Sequence, residues 1–300
     1  MAKYRIISFD GGGIRGALTT ALLKRLHGFF PELFNTADLF AGTSTGSFIA
    51  LGLASGLPVE RIAGLYSEQN GKYIFTPRNF ELFRPKYDRD HLKEKLQSVF
   101  PADLRLKDLK RPVLVPAFRV TADGMGSWGP VFFSNFPYAS TRDERVLDVA
   151  LASSAAPVYF PSYRHFIDGG VVANNPGTAA IALARDKNAG NQELADVYLL
   201  SVGTGFSPLY ISADTSDWGA LEWALYPFPP LPLISVMFDG AAEADVQFGA
   251  RLLGGQYHRL NPVLSQPVAL DDYKKIPYLI NVAENYNLDP VINWLKSNWF

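Results

Sequence analysis

Twice within its first 55 residues the chain runs from a short apolar stretch through a glycine-rich turn into a helical pattern. Tyr4 to Phe9 breaks into Asp10-Gly11-Gly12-Gly13-Ile14-Arg15-Gly16, and helical spacing follows from Ala17 to His27. Leu39 to Gly42 then enters Gly42-Thr43-Ser44-Thr45-Gly46, ahead of a second helical run from Ser47 to Ala54. Further strand candidates are 112–120, 130–133, 164–167 and 196–202. Further helix candidates are 59–67, 89–100, 145–153, 176–185 and 242–253. Strands alternating with helices at this spacing predict a three-layer α/β sandwich, a mostly parallel central sheet flanked by helices. No repeat, low-complexity tract or linker divides the 300 residues, so a single domain over 1–300 is expected, with 207–239 as an apolar flap.

Composition narrows the function classes. A 48% hydrophobic content with 19% charged residues suits a globular protein. The formal charge of −1 gives no footprint for nucleic acid. Without cysteine there is neither a disulfide nor a thiolate metal site. The apolar run beginning at Tyr4 leaves no room ahead of it for a secretory signal peptide, and Leu221 to Phe238 is broken by Glu222 and by Pro227, Pro229, Pro230 and Pro232. A cytoplasmic protein is therefore expected, and neither a metal nor a cofactor is implied.

The first glycine loop permits two readings. Gly11, Gly13 and Gly16 satisfy the G-x-G-x-x-G pattern of a dinucleotide site, between a strand and a helix as that site requires. The same loop could supply N–H donors to an oxyanion. The second turn is a G-x-S-x-G pentapeptide in strand–turn–helix context. A nucleophile at such an elbow has a strained backbone, which is why Gly42 and Gly46 lack side chains, and the following helix points its N-terminus at Ser44. The bland alternative is an ordinary tight turn.

A serine nucleophile needs a base, and the four histidines offer little. His27 ends the first helix, His91 lies in the charged run RDHLKEKL, and His258 stands apart from any motif. His165 sits three residues before Asp168, an offset that sends the two side chains to opposite faces of a regular strand. Asp168 is the better candidate. It closes an apolar strand and opens the turn Gly169-Gly170, which leaves its carboxylate near backbone N–H groups. Taken alone it would pass for a turn residue.

The ordered set DGGGIRG, GTSTG and DGG resembles the patatin-like phospholipases, serine lipid acyl hydrolases. ALASSAAPVYFP, DGGVVANNP and SVGTG extend the similarity from Ile6 to about Gly205. The resemblance implies Ser44 as nucleophile, Asp168 as its dyad partner, and Gly11, Gly12, Gly13 and Arg15 around the oxyanion. Ser47 departs from the pattern, standing where many members have a further glycine, and nothing after Gly205 matches. The glycine loop is then an oxyanion site. A dinucleotide site wants an acid closing the next strand, whereas Asp38 opens it, and Asp10 would stand beside the pyrophosphate.

The expected function is hydrolysis of lipid acyl esters through an acyl-enzyme. The alternatives are transfer of the acyl group to an alcohol and a lipid- or nucleotide-responsive protein with little basal activity. Expected partners are a lipid or acyl-ester substrate and, peripherally, a membrane surface, with no nucleic acid. The stretch containing Trp218, Leu221, Trp223, Leu225, Tyr226, Phe228, Leu231, Leu233 and Ile234 would contact lipid or line an acyl channel, or else pack as core. Asn174, Asn175 and Pro176 read as a structural cap on the helix after the DGG turn, and Arg145, Asp148, Ser153 and Ser154 as candidates to brace the site.

Overall fold

The computed structural model describes residues 3–79, 83–121, 127–208, 210–227, 229 and 231–300; Phe228 and Pro230 lie outside the described residues. Seven strands among these form one sheet: β1 (Tyr4–Phe9), β2 (Leu39–Gly42), β3 (Val113–Arg119), β4 (Gly129–Ser134), β5 (Phe166–Asp168), β6 (Val197–Val202) and β7 (Tyr257–Leu260). The spatial order is β4-β3-β2-β1-β6-β7, with β5 pairing the end of β3. β3, β2, β1, β6 and β7 run parallel; β4 and β5 are antiparallel to β3.

Twelve α-helices are described with the sheet. They are α1 (Gly16–Phe29), α2 (Thr45–Ser55), α3 (Val59–Ala63), α4 (Glu68–Ile74), α5 (Arg89–Gln97), α6 (Val146–Ser153), α7 (Gly170–Ala173), α8 (Gly177–Arg185), α9 (Ala220–Leu225), α10 (Pro232–Leu253), α11 (Ile276–Asn285) and α12 (Asp289–Trp294). Strand alternation splits the core in two. Ile7, Phe9 and Phe40 pack under α1, α2 and α6, while Ile6, Leu39, Ala41 and Leu199 meet Ala180, Ile181 and Ala184 of α8 on the opposite face. The architecture is the expected three-layer α/β sandwich. Helix α2 is buried from Thr45 to Ala54, so its apolar positions are core on every side.

Three expectations differ from the structure. Helix α10 starts at Pro232, ten residues before the expected 242. A proline in the first turn gives up an N–H that has no intrahelical partner, so it starts this helix rather than breaking it. Strand β5 begins only at Phe166, because Arg164 and His165 take left-handed backbones with φ 46° and 70°. The alternation argument separating His165 from Asp168 therefore has no regular strand to act on. Strand β7 and helices α4, α7, α9, α11 and α12 have no counterpart among the sequence candidates.

Candidate active site

Ser44 is the pivot between β2 and α2. Its φ of 53° and ψ of −121° lie in a region that non-glycine residues rarely occupy, at a cost of about 1–3 kcal/mol. The surroundings enforce it. A Cβ on Gly42 would strike the Gly46 carbonyl, and one on Gly46 would strike the carbonyl of Phe9 at the end of β1. The Ser44 N–H donates to Ser153 Oγ at 2.9 Å, and that hydroxyl donates onward to the Pro116 carbonyl at 2.6 Å. Ser47, the departure from the motif, donates its hydroxyl to the Ser44 carbonyl at 2.5 Å. The side chain of Ser44 remains at a cavity wall with the residue 8% exposed.

Asp168 ends β5 in register with Ala117 of β3 and is 0% exposed. Oδ1 accepts the Gly170 N–H at 2.7 Å, while Oδ2 is buried with no hydrogen-bond partner among the described residues. Burial drives the carboxyl up to about 7, against the opposing pull of the Gly170 N–H and the Ser44 hydroxyl. The Ser44 hydroxyl thus faces the carboxylate without closing a hydrogen bond of ordinary length, a common state of a catalytic pair without substrate. Among the described residues no cation neutralises Asp168. Gly169 sits so close to the Pro116 carbonyl that a side chain there would collide with it, which holds the turn against the sheet.

The first glycine loop lies beside this pair. A Cβ on Gly11 would come within 3.3 Å of Ser44 Cβ. The Gly11 N–H, however, donates to the Asn174 carbonyl at 2.9 Å, so Gly11 is corrected from an oxyanion donor to a strut. The N–H groups of Gly12 and Gly13 carry no backbone hydrogen bond among the described residues. Gly13 has φ +57° and packs against the Leu270 carbonyl, a position only glycine fills without strain. Arg15 turns its Nε to the Gly12 carbonyl at 3.4 Å, closing the loop, and faces a second cavity. Burial lowers its pKa while the charges of Asp239 and Asp10 oppose that shift.

Two cavities meet here, sharing Tyr159, Phe238 and Leu270 as walls. The first is a narrow apolar channel with about 70 Å³ of free space. It runs from Ser44, Gly12 and Gly13 between α2, α4 and α5, past Phe48, Leu65, Ile74, Phe75, Leu92 and Leu96. The second is wider, about 580 Å³, and is bounded by Arg15, Asp239 and Asp272 with Tyr210, Leu231 and Ile234. Ser44 lines the first of these, and the second adjoins it through the shared walls.

The sequence profile of the patatin-like phospholipase family matches residues 7–181, which hold the elbow, the glycine loop and the DGG turn. The chain belongs to the patatin-like phospholipases. It is a member of a family of lipid hydrolases, and its relatives span bacteria and plants. Protein teg of Priestia megaterium is 36% identical over 100% of both chains. A cGAMP-activated phospholipase of Vibrio cholerae is 35% identical over 67% of this chain and 64% of its own. Patatin-like protein 4 of Arabidopsis thaliana is 25% identical over 96% and 81% respectively.

Within this family member the histidines stand away from Ser44, and none lines either cavity. His27 stacks on Phe34, His91 on Tyr73 and His258 on Trp294. His165 lines a separate cleft with Glu144 and Asp148. Of the bracing candidates, Ser153 holds the elbow and Ser154 lines the channel. Asp148 instead binds the Tyr163 hydroxyl and Arg164. Asn175 caps α8 by accepting the Gly177 N–H at 3.0 Å. Asn174 was read as a cap but reaches the site: its Oδ1 is buried without a partner, against Gly11 and 3.1 Å from where a Gly170 Cβ would stand. The paired asparagines after the DGG turn were the available signal. The flap does not line the Ser44 channel apart from Phe238; Leu231 and Ile234 face the wider cavity. No cluster of metal-ligating residues occurs among the described residues, and no helix there is long and apolar enough to cross a membrane.

Proposed function

We propose that the chain hydrolyses acyl esters of lipids, with Ser44 as nucleophile and Asp168 as its only base. The observation that carries this reading is the buried, cation-free Asp168 carboxylate facing the hydroxyl of a strained elbow serine. A carboxylate near its ordinary pKa of about 4 accepts a serine proton poorly, and lifting it to about 7 makes it a competent base at neutral pH. Ser44 Oγ attacks the ester carbonyl as its proton passes to Asp168. The resulting oxyanion is met by the N–H groups of Gly12 and Gly13. Collapse expels the alcohol, which takes the proton from Asp168 and leaves acyl-Ser44. Water then attacks, gives its proton to Asp168, and the second collapse returns a proton to Ser44 as the fatty acid leaves.

In this reading the apolar channel beside Ser44 receives the acyl chain, and the wider cavity next to it receives the remainder of the lipid. Peripheral lipid contact belongs to the same proposal. Leu221 and Leu225 stand exposed on α9, and Leu233, Val236 and Met237 on the first turns of α10, the helix that bounds the wider cavity. The test compares wild type, Ser44→Ala and Asp168→Asn on p-nitrophenyl butyrate and decanoate, with and without phosphatidylcholine vesicles. Cleavage by wild type alone supports the dyad. Cleavage surviving in Asp168→Asn sinks it. An added alcohol acceptor separates transfer from hydrolysis. Activity appearing only with cGAMP, which activates the Vibrio relative, would place an activator upstream of the same serine.

A further inference from the structure

The family profile ends at residue 181, yet the glycine loop is held from beyond it. The Thr204 hydroxyl donates to the Gly11 carbonyl at 3.0 Å, and the Leu270 carbonyl accepts the Ile14 N–H at 2.9 Å. The strongest of these ties is made by Arg259 of β7. Its two terminal nitrogens grip both carboxylate oxygens of Asp10, Nη1 to Oδ1 at 2.9 Å and Nη2 to Oδ2, with side chains only 16% and 5% exposed. Nη1 also donates to Ser201 Oγ at 2.8 Å.

The fold builds a track for this contact. Ser8 of β1 pairs in register with Ser201 of β6, and Ser201 with Arg259 of β7, so one row crosses three strands on the face that carries α8. Gly203 keeps the route open, since a Cβ there would come 2.8 Å from Arg259 Nη2 and collide with Asn261. Asn175 holds Ser201 from the other side at 3.2 Å. Asp10 is the last residue before the three glycines, two positions from the Gly12 N–H, so the plane in which its carboxylate is clamped sets how the loop leaves β1. A bidentate fork fixes that plane in a way a point charge cannot.

We propose that Arg259 is a positioning residue for catalysis: by clamping Asp10 it aims the Gly12 and Gly13 N–H groups at the oxyanion formed on Ser44. The inference rests on the Ser44 hydrolase reading. Donors aimed in advance stabilise the transition state far more than the bound ester. Loss of the clamp therefore lowers kcat and spares KM, whereas a purely structural residue would lower only the fraction of folded, titratable enzyme.

The experiment uses full-length wild type, Arg259→Lys, Arg259→Gln and the double variant Asp10→Asn/Arg259→Gln. Active sites are counted with a fluorophosphonate, kcat and KM are measured on p-nitrophenyl butyrate per titrated site, and melting is followed in parallel. For Arg259→Gln the expected result is a kcat lower by about 100-fold with KM within about twofold, the scale of one oxyanion donor lost. Arg259→Lys should recover about tenfold of that, restoring charge without the fork. The double variant removes both charges of the clamp, so its melting temperature should rise above that of Arg259→Gln while kcat stays low. Should Arg259→Gln fail to fold, the lysine and double variants carry the same comparison. Wild-type kcat per titrated site in the folded variants, or kcat recovering together with melting temperature in the double variant, would overturn the proposal and leave the hydrolase reading standing. A wild type that neither reacts with the phosphonate nor cleaves the ester overturns both.

Discussion

Two aspartates, one directly after β1 and one at the end of β5, are each followed by glycines and are treated in opposite ways. Asp10, before Gly11-Gly12-Gly13, is gripped by Arg259 through both oxygens. Asp168, before Gly169-Gly170, has one oxygen on a backbone N–H and, among the described residues, no partner for the other and no cation. The paired acid has both oxygens occupied by one guanidinium, which suits it to geometric work. Burial raises the unpaired acid to about 7, which suits it to the proton transfer proposed for it. The local sequence is nearly the same in both turns. What differs is a side chain some 250 residues away from the first and absent from the second.

The sharpest test of this contrast exchanges each acid for its amide. Asp168→Asn, like Ser44→Ala, should cut kcat by about 10³-fold or more on p-nitrophenyl butyrate, while His165→Ala leaves it unchanged. Stability should move the other way. An acid raised to about 7 from an unfolded value near 4 binds its proton more readily folded than unfolded. It therefore costs stability increasingly as pH rises from about 4 to 7, and the full cost stands above 7. Asp168→Asn should thus raise the unfolding free energy by about 1–3 kcal/mol at pH 8 and by little at pH 4. Asp10→Asn should lower it by about 3–5 kcal/mol, because Arg259 is left buried without its partner. Denaturant titrations of both variants at pH 8 check the opposite signs; equal signs would break the comparison.

The two sites were unequally legible in the sequence. Ser44 and Asp168 lie in short motifs whose spacing carries mechanical meaning, so an ordered set of turns pointed to them. The parallel sheet followed from the same alternation of apolar run, glycine turn and helix. Arg259 was invisible because it sits in Tyr257-His258-Arg259-Leu260, a four-residue edge strand with no turn chemistry and no apolar alternation to mark it. Only the register β1-β6-β7 brings it to Asp10. The apolar channel beside Ser44 was illegible for a related reason. The aromatic stretch around Trp223 advertises apolarity, yet Trp218 packs on Trp223 and Tyr226 within its own loop. The channel instead uses Leu92 and Leu96 from a helix whose sequence, RDHLKEKL, reads as charged, since two leucines four apart suffice to line one wall.

A pH profile sharpens the contrast at lower amplitude. If Asp168 must be ionised to take the Ser44 proton, log(kcat/KM) on a neutral ester should rise with slope one below about pH 7 and level off above it. Each unit below the midpoint then costs about tenfold. A profile already flat at pH 5 would mean that the carboxylate is ionised well below that value, and burial would then not govern the protonation of Asp168.

The smallest effect concerns the channel that Asp168 and Ser44 serve. Leu92 is 7% exposed and faces the narrow space between α4 and α5. Leu92→Phe adds bulk there without touching Ser44, the glycine loop or either aspartate. A short butyryl chain ends before this depth, whereas a decanoyl chain must pass it, so kcat/KM should fall about tenfold for p-nitrophenyl decanoate and hardly at all for butyrate. Overpacking costs about 1–3 kcal/mol of stability, so melting is recorded alongside. An equal loss on both esters would mean that the acyl chain does not enter between these helices. The wider cavity, bounded by Arg15 and Asp239, would then have to hold it, against the charge that lines its wall.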